Sequence, residues 1–287
     1  MRMPHTMMTA LLGSVLLLAG LAPARAAVVE DFTGFANGTV DTNKNGVLDI
    51  EDDGGKTNGW SSRQFAAYVL LKVPGMDKPV LSAPKASGPR SWHAMGKAHG
   101  QDVAKATKVE LSYRLAMRNQ YSTANVWLSD GNQNGYGVSV SRHNYNQASI
   151  IKLRDCAIPW PSQMTGVSEW SNPAGEHSEL LKDTISVGLQ DDDFITFHLC
   201  LEQAAPGKPV KLTLWYTGST KEFPDTSYEK PAQQLMDDGS GKVFNADGKF
   251  GPVFDLAALT FVALTAETPD MADAEIRFGT LEVTASK

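Results

Sequence analysis

The chain has 287 residues, 26 Lys and Arg against 32 Asp and Glu, a formal charge of −6 and only two cysteines, Cys156 and Cys200. This acidic balance argues against nucleic acid and anionic membrane as partners, since both reward Lys and Arg. Two cysteines exclude a disulfide-dense scaffold, so the fold must rest on a buried core.

Residues 1–26 begin with Arg2, run apolar from Ala10 to Ala22 and close on Ala24-Arg25-Ala26. That is a secretory signal with an A-x-A site, expected to be cut after Ala26. Its apolar run falls short of the ~20 residues a helix needs to span a bilayer. Cleavage removes Arg2 and Arg25 and no acid, so the mature charge becomes −8. The expected location is secreted or periplasmic, with no membrane insertion after cleavage. In that oxidising setting Cys156 and Cys200 are expected to form one disulfide, stabilising by roughly 4 kcal/mol in the chain-entropy picture. Two buried free thiols are the alternative.

Residues 27–287 read as a single domain. It opens on a short β-type run, Val28 to Phe32, and reaches Asp41-Thr42-Asn43-Lys44-Asn45-Gly46-Val47-Leu48-Asp49-Ile50-Glu51-Asp52. Oxygen-bearing side chains recur there at metal-loop spacing, with glycine at the sixth place where the loop must bend around a cation. Asp41, Asn43, Asn45 and Asp52 would ligate directly, Val47 through its carbonyl and Asp49 through water. Three carboxylates favour Ca2+ over a transition metal. The loop resembles the calcium loops of dockerins, but it is single and lacks flanking helices, so the resemblance implies a cation and no cohesin partner.

Period-two alternation then dominates. From Thr107 to Met117, Val109, Leu111, Tyr113, Leu115 and Met117 share one face, and Glu110, Ser112 and Arg114 the other. Asn125–Ser129 and Tyr136–Ser141, joined by a Gly/Asn turn, predict a hairpin, with Trp127 opposite Val126 and Leu128. Residues 155–190 show no period and read as an inserted loop. Phe194–Glu202 and Val210–Tyr216 predict a second hairpin with Ile195, Phe197, Leu199, Leu201, Val210, Leu212 and Leu214 inward. Residues 217–252 read as a long loop, and Leu256–Leu264 and Ala274–Thr284 as the closing strands. The expected fold is all-β, a two-sheet antiparallel sandwich or jelly roll with few or no helices.

The opening Glu30-Asp31-Phe32, the later Gly59-Trp60, the central Asn134-Gly135-Tyr136 and the terminal Ala274-Glu275-Ile276-Arg277-Phe278 together resemble concanavalin A-like lectin/glucanase or laminin G-like domains. That resemblance implies a polysaccharide or cell-surface glycan as partner. The E-x-D-x-x-E of the jelly-roll glucanases is not met, because Glu51-x-Asp53 is followed by Lys56. His143-Asn144-Tyr145-Asn146-Gln147 resembles the Tyr-Asn-Gln of alginate-lyase-like enzymes, without their other motifs.

The face opposite the core is expected to show Arg114, Trp127, Ser139, His198 and Trp215. Aromatic rings stack on the apolar face of a pyranose while Arg and His bind hydroxyls. Trp127 and Trp215 lying under the long loops as satellite core is the competing expectation. The sequence therefore points first to a calcium-stabilised, carbohydrate-binding protein without catalysis. A polysaccharide lyase or hydrolase using His143, Tyr145 or His198 comes next, and a structural surface protein last. His93, His99 and His177 have no spacing partner and receive no role.

Overall fold

The computed structural model describes residues 27–33, 38–39, 60–62, 69–73, 76–84, 90–118, 122–131, 134–142, 147–154, 176–179, 185–186, 194–218, 228–239, 252–269, 271 and 273–287. Strands β1 (Ala27–Glu30), β2 (Gly38–Thr39), β3 (Ser61–Ser62), β4 (Val69–Leu71), β5 (Val80–Pro84), β6 (Arg90–Ala98) and β7 (Lys108–Arg118) come first. Then follow β8 (Thr123–Ser129), β9 (Gly135–Ser141), β10 (Gln147–Arg154), β11 (Glu176–Glu179) and β12 (Ile185–Ser186). The last five are β13 (Ile195–Gln203), β14 (Val210–Thr217), β15 (Tyr228–Asp237), β16 (Phe261–Pro269) and β17 (Glu275–Ser286).

They form two antiparallel sheets packed as a sandwich. The nine-stranded sheet runs β15-β14-β13-β7-β17-β5-β4-β2, with β1 also on β17. The eight-stranded sheet runs β11-β10-β9-β8-β16-β6-β3, with β12 also on β10. Among the described residues the only helical turn is a 3-10 segment, Leu256–Ala258.

Alternation decides which side chains meet. In β7 every second residue from Val109 to Met117 enters the core, joined by Ile195, Phe197, Leu199 and Leu201 of β13 and by Val210, Leu212, Leu214 and Tyr216 of β14. Tyr113 stacks on Phe197 at 5.5 Å within that layer. The facing layer supplies Val126 and Leu128 of β8, Tyr136, Val138 and Val140 of β9, and Val262 and Leu264 of β16. Both predicted hairpins form, β8 with β9 and β13 with β14.

Three segments differ from the sequence reading. Leu256 begins the 3-10 turn, and the strand starts five residues later at Phe261. The 155–190 stretch contributes β11 and β12, both paired with β10. The 217–252 stretch contributes β15, whose Pro231 reads as a strand breaker. β15 tolerates it because it is the edge strand, where a missing N–H breaks no second ladder. The register also jumps between Leu214↔Gln233 and Tyr216↔Tyr228, the interval that holds Pro231.

Two buried polar ties cross the sandwich. On one, Lys152 of β10 and Asp237 of β15 are each 1% exposed and meet at 2.7 Å. The Tyr136 hydroxyl donates to Asp237 at 2.5 Å and accepts from the Phe254 N–H, while Lys152 Nζ donates to the Pro252 carbonyl at 3.0 Å. On the other, Glu30 of β1 accepts from Trp60 Nε1 at 2.8 Å and lies 3.4 Å from Lys97 Nζ of β6. Its second oxygen accepts the Asp31 and Phe32 N–H groups, holding Phe32 at φ 58°, a left-handed conformation rare for a bulky residue.

A buried ion pair adds little over an apolar pair of equal shape, but losing one partner strands the other charge, at about 3–5 kcal/mol. Lys152→Ala is therefore expected to lower the unfolding free energy by about that amount in urea titration, and Lys152→Met with Asp237→Leu by clearly less. A Lys152→Ala loss under ~1 kcal/mol would show that the pair does not tie the sheets.

Candidate functional site

The outer face of the nine-stranded sheet presents the residues that the core rejects. His198 of β13 and Trp215 of β14 are register partners, and their rings stack at 5.0 Å with only 6° between planes. His198 Nε2 bonds Thr217 Oγ1 at 3.1 Å, and its Nδ1 is buried without a hydrogen-bond partner. On the next strand, Ser112 pairs with His198 and Arg114 with Thr196. Arg114 is thus a diagonal neighbour of His198, with Cα atoms about 7–8 Å apart in such geometry. Its guanidinium lies 5.5 Å from the Phe194 ring centre.

Beside Arg114 the sheet is interrupted. β17 pairs Phe278 with Leu115 and Leu281 with Tyr113, so Gly279 and Thr280 together face Arg114, a β-bulge. Along the other edge of β17, β5 pairs as far as Phe278 and β1 takes over at Leu281. A cleft of about 220 Å³ opens at this gap, lined by Met76, Asp77, Lys78, Pro79, Arg114 and Thr280. Gly279 is required here, because a Cβ would stand 2.9 Å from that of Arg114.

The five residues expected on one face divide between the two sheets. Arg114, His198 and Trp215 share the outer face of the nine-stranded sheet. Trp127 and Ser139 lie on the outer face of the eight-stranded sheet, where Ser139 pairs with Asn125 and Trp127 with Gly137. Trp127 is 3% exposed, in an apolar cluster with Ile151, Leu153 and Ala263, and its Nε1 has no partner. Thr123, Asn125, Ser129 and Thr265 on that face are buried as well. In contrast, Arg114, Thr196, His198, Trp215 and Thr217 all keep partial exposure. Ser139 and Phe261 keep exposure on the eight-stranded face, but the expected aromatic and basic residues that remain accessible, Arg114, His198 and Trp215, are on the nine-stranded one.

Asp41, Asn43, Asn45, Val47, Asp49 and Asp52 of the calcium loop lie outside the described residues, as do His143, Tyr145 and Cys156. Among the described residues no group of three His, Cys, Asp or Glu side chains is placed to hold a metal. Cys200 is a free thiol in this structure, not the expected disulfide partner; it is buried between Glu110 and Thr213 on the outer face, and burial pushes the thiol up to about 11. Sequence reasoning did not find Lys78, Phe194 or Thr280. Adjacency to a strand glycine was the available signal for Thr280, since a glycine inside a strand often marks a bulge.

No protein-family model matches the chain, and no curated protein matches it. Among solved structures it is similar to a GH43 glycoside hydrolase engineered for endo-xylanase and exo-arabinofuranosidase activity, at TM-score 0.42 and 12% identity over 96% of this chain and 43% of that one. This chain thus spans less than half of that protein. It is similar also to the exoplasmic/lumenal domain of VIP36 in its Ca2+/Man3GlcNAc-bound form, at TM-score 0.41 and 8% identity over 79% of this chain and 84% of that one. A third is lectin II from Ulex europaeus, at TM-score 0.39 and 9% identity over 80% and 93%. At these scores the likenesses carry neither a ligand nor a residue role to this chain.

Burial holds both His198 and His99 below the ordinary histidine value of about 6.5. The Glu110 charge partly offsets this at His198, and the Leu259 carbonyl at His99. His99 is fixed as one neutral tautomer, with Nε2–H donating to Leu259 and Nδ1 accepting from the Gln101 N–H. As pH falls the unfolded chain binds protons first. The stability these histidines contribute is complete above ~6.5 and is lost as pH drops through their lowered folded values. Unfolding free energy is expected to be level from pH 8 to 7 and to decline below ~6.5, with a shallower decline in His99→Gln and His198→Gln. An unchanged slope in both variants would remove the assignment.

Proposed function

We propose that the protein binds a polysaccharide or cell-surface glycan on the open face of its nine-stranded sheet, without cleaving it. The observation that carries this reading is the parallel His198–Trp215 stack, a half-buried aromatic shelf flanked by Arg114 and the hydroxyls of Ser112, Thr196 and Thr217. An aromatic shelf takes the apolar face of a sugar ring, and hydroxyls and a guanidinium beside it answer the ring's own hydroxyls. An acidic chain of formal charge −6 does not suit a nucleic acid on the same shelf. Binding without chemistry fits His198, whose Nε2 is engaged by Thr217 and whose Nδ1 is buried, so that neither nitrogen is presented to a substrate.

Export, with cleavage after Ala26, belongs to the same proposal. So does a structural Ca2+ held by Asp41, Asn43, Asn45, Val47, Asp49 and Asp52. These rest on the sequence pattern.

Calorimetry against a panel of polysaccharides, with chain-length analysis of each polymer afterwards, is expected to show binding and unchanged length. Trp215→Ala should weaken binding on the order of tenfold, the scale of a lost aromatic platform. Shortened polymer would favour the lyase or hydrolase, and silence across the panel a structural surface role. Calcium titrated into wild type should release heat that Asp41→Ala lacks; matching heats would strike the metal from the proposal.

A further inference from the structure

The cleft beside Arg114 narrows the choice of glycan. The cations on the outer faces of β7, β13, β14 and β17 are Lys108, Arg114, Arg118, Lys211 and Arg277. All but Arg114 have a carboxylate within 4.0 Å: Glu110 for Lys108, Glu202 for Lys211, and Glu275 for Arg118 and Arg277. In the cleft itself Lys78 is bound to Asp31 at 3.0 Å. Among the described residues Arg114 pairs with no carboxylate, and its recorded contact is with the Phe194 ring. The bulge and Gly279 make room for its stem, and the gap between β5 and β1 opens the space in front of it.

We propose that this cleft receives the carboxylate of an acidic sugar unit, so that the glycan held on the shelf is a polyuronate. The proposal rests on the glycan-binding reading above. A guanidinium fork matches a planar carboxylate with two parallel hydrogen bonds, which a hydroxyl cannot supply. The volume of about 220 Å³ is below the ~300 Å³ of pockets that engulf a small molecule, so the cleft takes one substituent while the rest of the ligand lies along the open face. Three acids lie near an anionic guest: the exposed Asp77 in the lining, Glu282 of β17, which pairs with Ser112 of β7, and Asp31, whose charge Lys78 offsets. Glu110 lies further along β7, beyond Ser112. The repulsion of the net charge is screened beyond ~8 Å at physiological salt, so the contact at Arg114 decides.

The test compares polygalacturonate with its methyl ester, the same backbone without the charge, and with dextran sulfate, by calorimetry at fixed salt. Wild type is expected to prefer the free acid over the ester on the order of tenfold. Arg114→Met should abolish the preference, weakening the free acid far more than the ester, while Trp215→Ala should weaken both alike. Arg114→Lys, which keeps the charge and loses the planar fork, should reduce the preference too, and it keeps the proposal testable if Arg114→Met does not fold. Equal affinity for acid and ester, a preference that survives both variants, or tighter binding of dextran sulfate would overturn the carboxylate assignment and leave glycan binding standing. Binding that is indifferent to Trp215, or absent for every polymer, would overturn both.

Discussion

The register of β7 against β13 and β14 is the constraint from which the rest of the molecule follows. Because side chains alternate at period two, placing Leu111, Tyr113 and Leu115 against Leu199 and Phe197 in the core puts Ser112, Arg114, Thr196 and His198 outside. Adding β14 with Leu214 and Tyr216 inward puts Trp215 beside His198. A slip of one residue would bury Arg114 and His198 and expose the apolar row, at a cost no binding interaction could offset. The aromatic shelf is thus a by-product of the core, held as rigidly as the core is.

The same alternation, carried to the margins of the sandwich, sets where polar groups must enter. On β10, Ala148, Ile150 and Lys152 point inward together, so an ammonium stands among core residues and needs a partner from the facing sheet. Asp237 supplies it from edge strand β15, and the Tyr136 hydroxyl occupies the same carboxylate oxygen. Glu30 and Lys97 repeat the arrangement between β1 and β6, with Trp60 donating to Glu30 and lying under the Lys97 ammonium at 5.3 Å. Each tie joins one strand of each sheet. They fix how the layers sit on one another, which apolar contacts specify only loosely.

Strand existence and facing were legible where alternation was clean and the strand central, as in β7, β8, β9, β13 and β14. They were illegible where an edge relaxes the rules and also in the interior strands β5, β6 and β10, of which β5 and β10 are buried on both faces and show no alternation. Pro231 disguised β15 because it removes a donor that only an interior strand needs. The residues behind the family resemblance proved informative in a way the pattern alone did not explain: Glu30 and Trp60, thirty positions apart, are hydrogen-bonded to each other. The candidate site was half legible. Periodicity says which residues leave the core but not which sheet they leave it from, so Trp127 was grouped with Trp215 although the two rings lie on opposite outsides of the sandwich. Gly137, the register partner of Trp127, leaves no room for a Cβ, which would fall 2.2 Å from that of Trp127.

Which outside face is available to a ligand follows from burial. Much of the outer face of the eight-stranded sheet is buried, with Phe261 and Ser139 as exceptions, and its outer Trp127 is satellite core. The nine-stranded sheet keeps partial exposure along a diagonal from Trp215 through His198 to Arg114, ending where the bulge at Gly279 and Thr280 interrupts β17. That order matters physically. A stacked pair of neutral rings offers an apolar contact without charge, and an arginine at the end of the row offers a directional, charged contact at one point. Such a surface suits an extended ligand that repeats its apolar face and carries a localised polar group. It would serve poorly for a compact molecule needing enclosure, for which the cleft alone is too small.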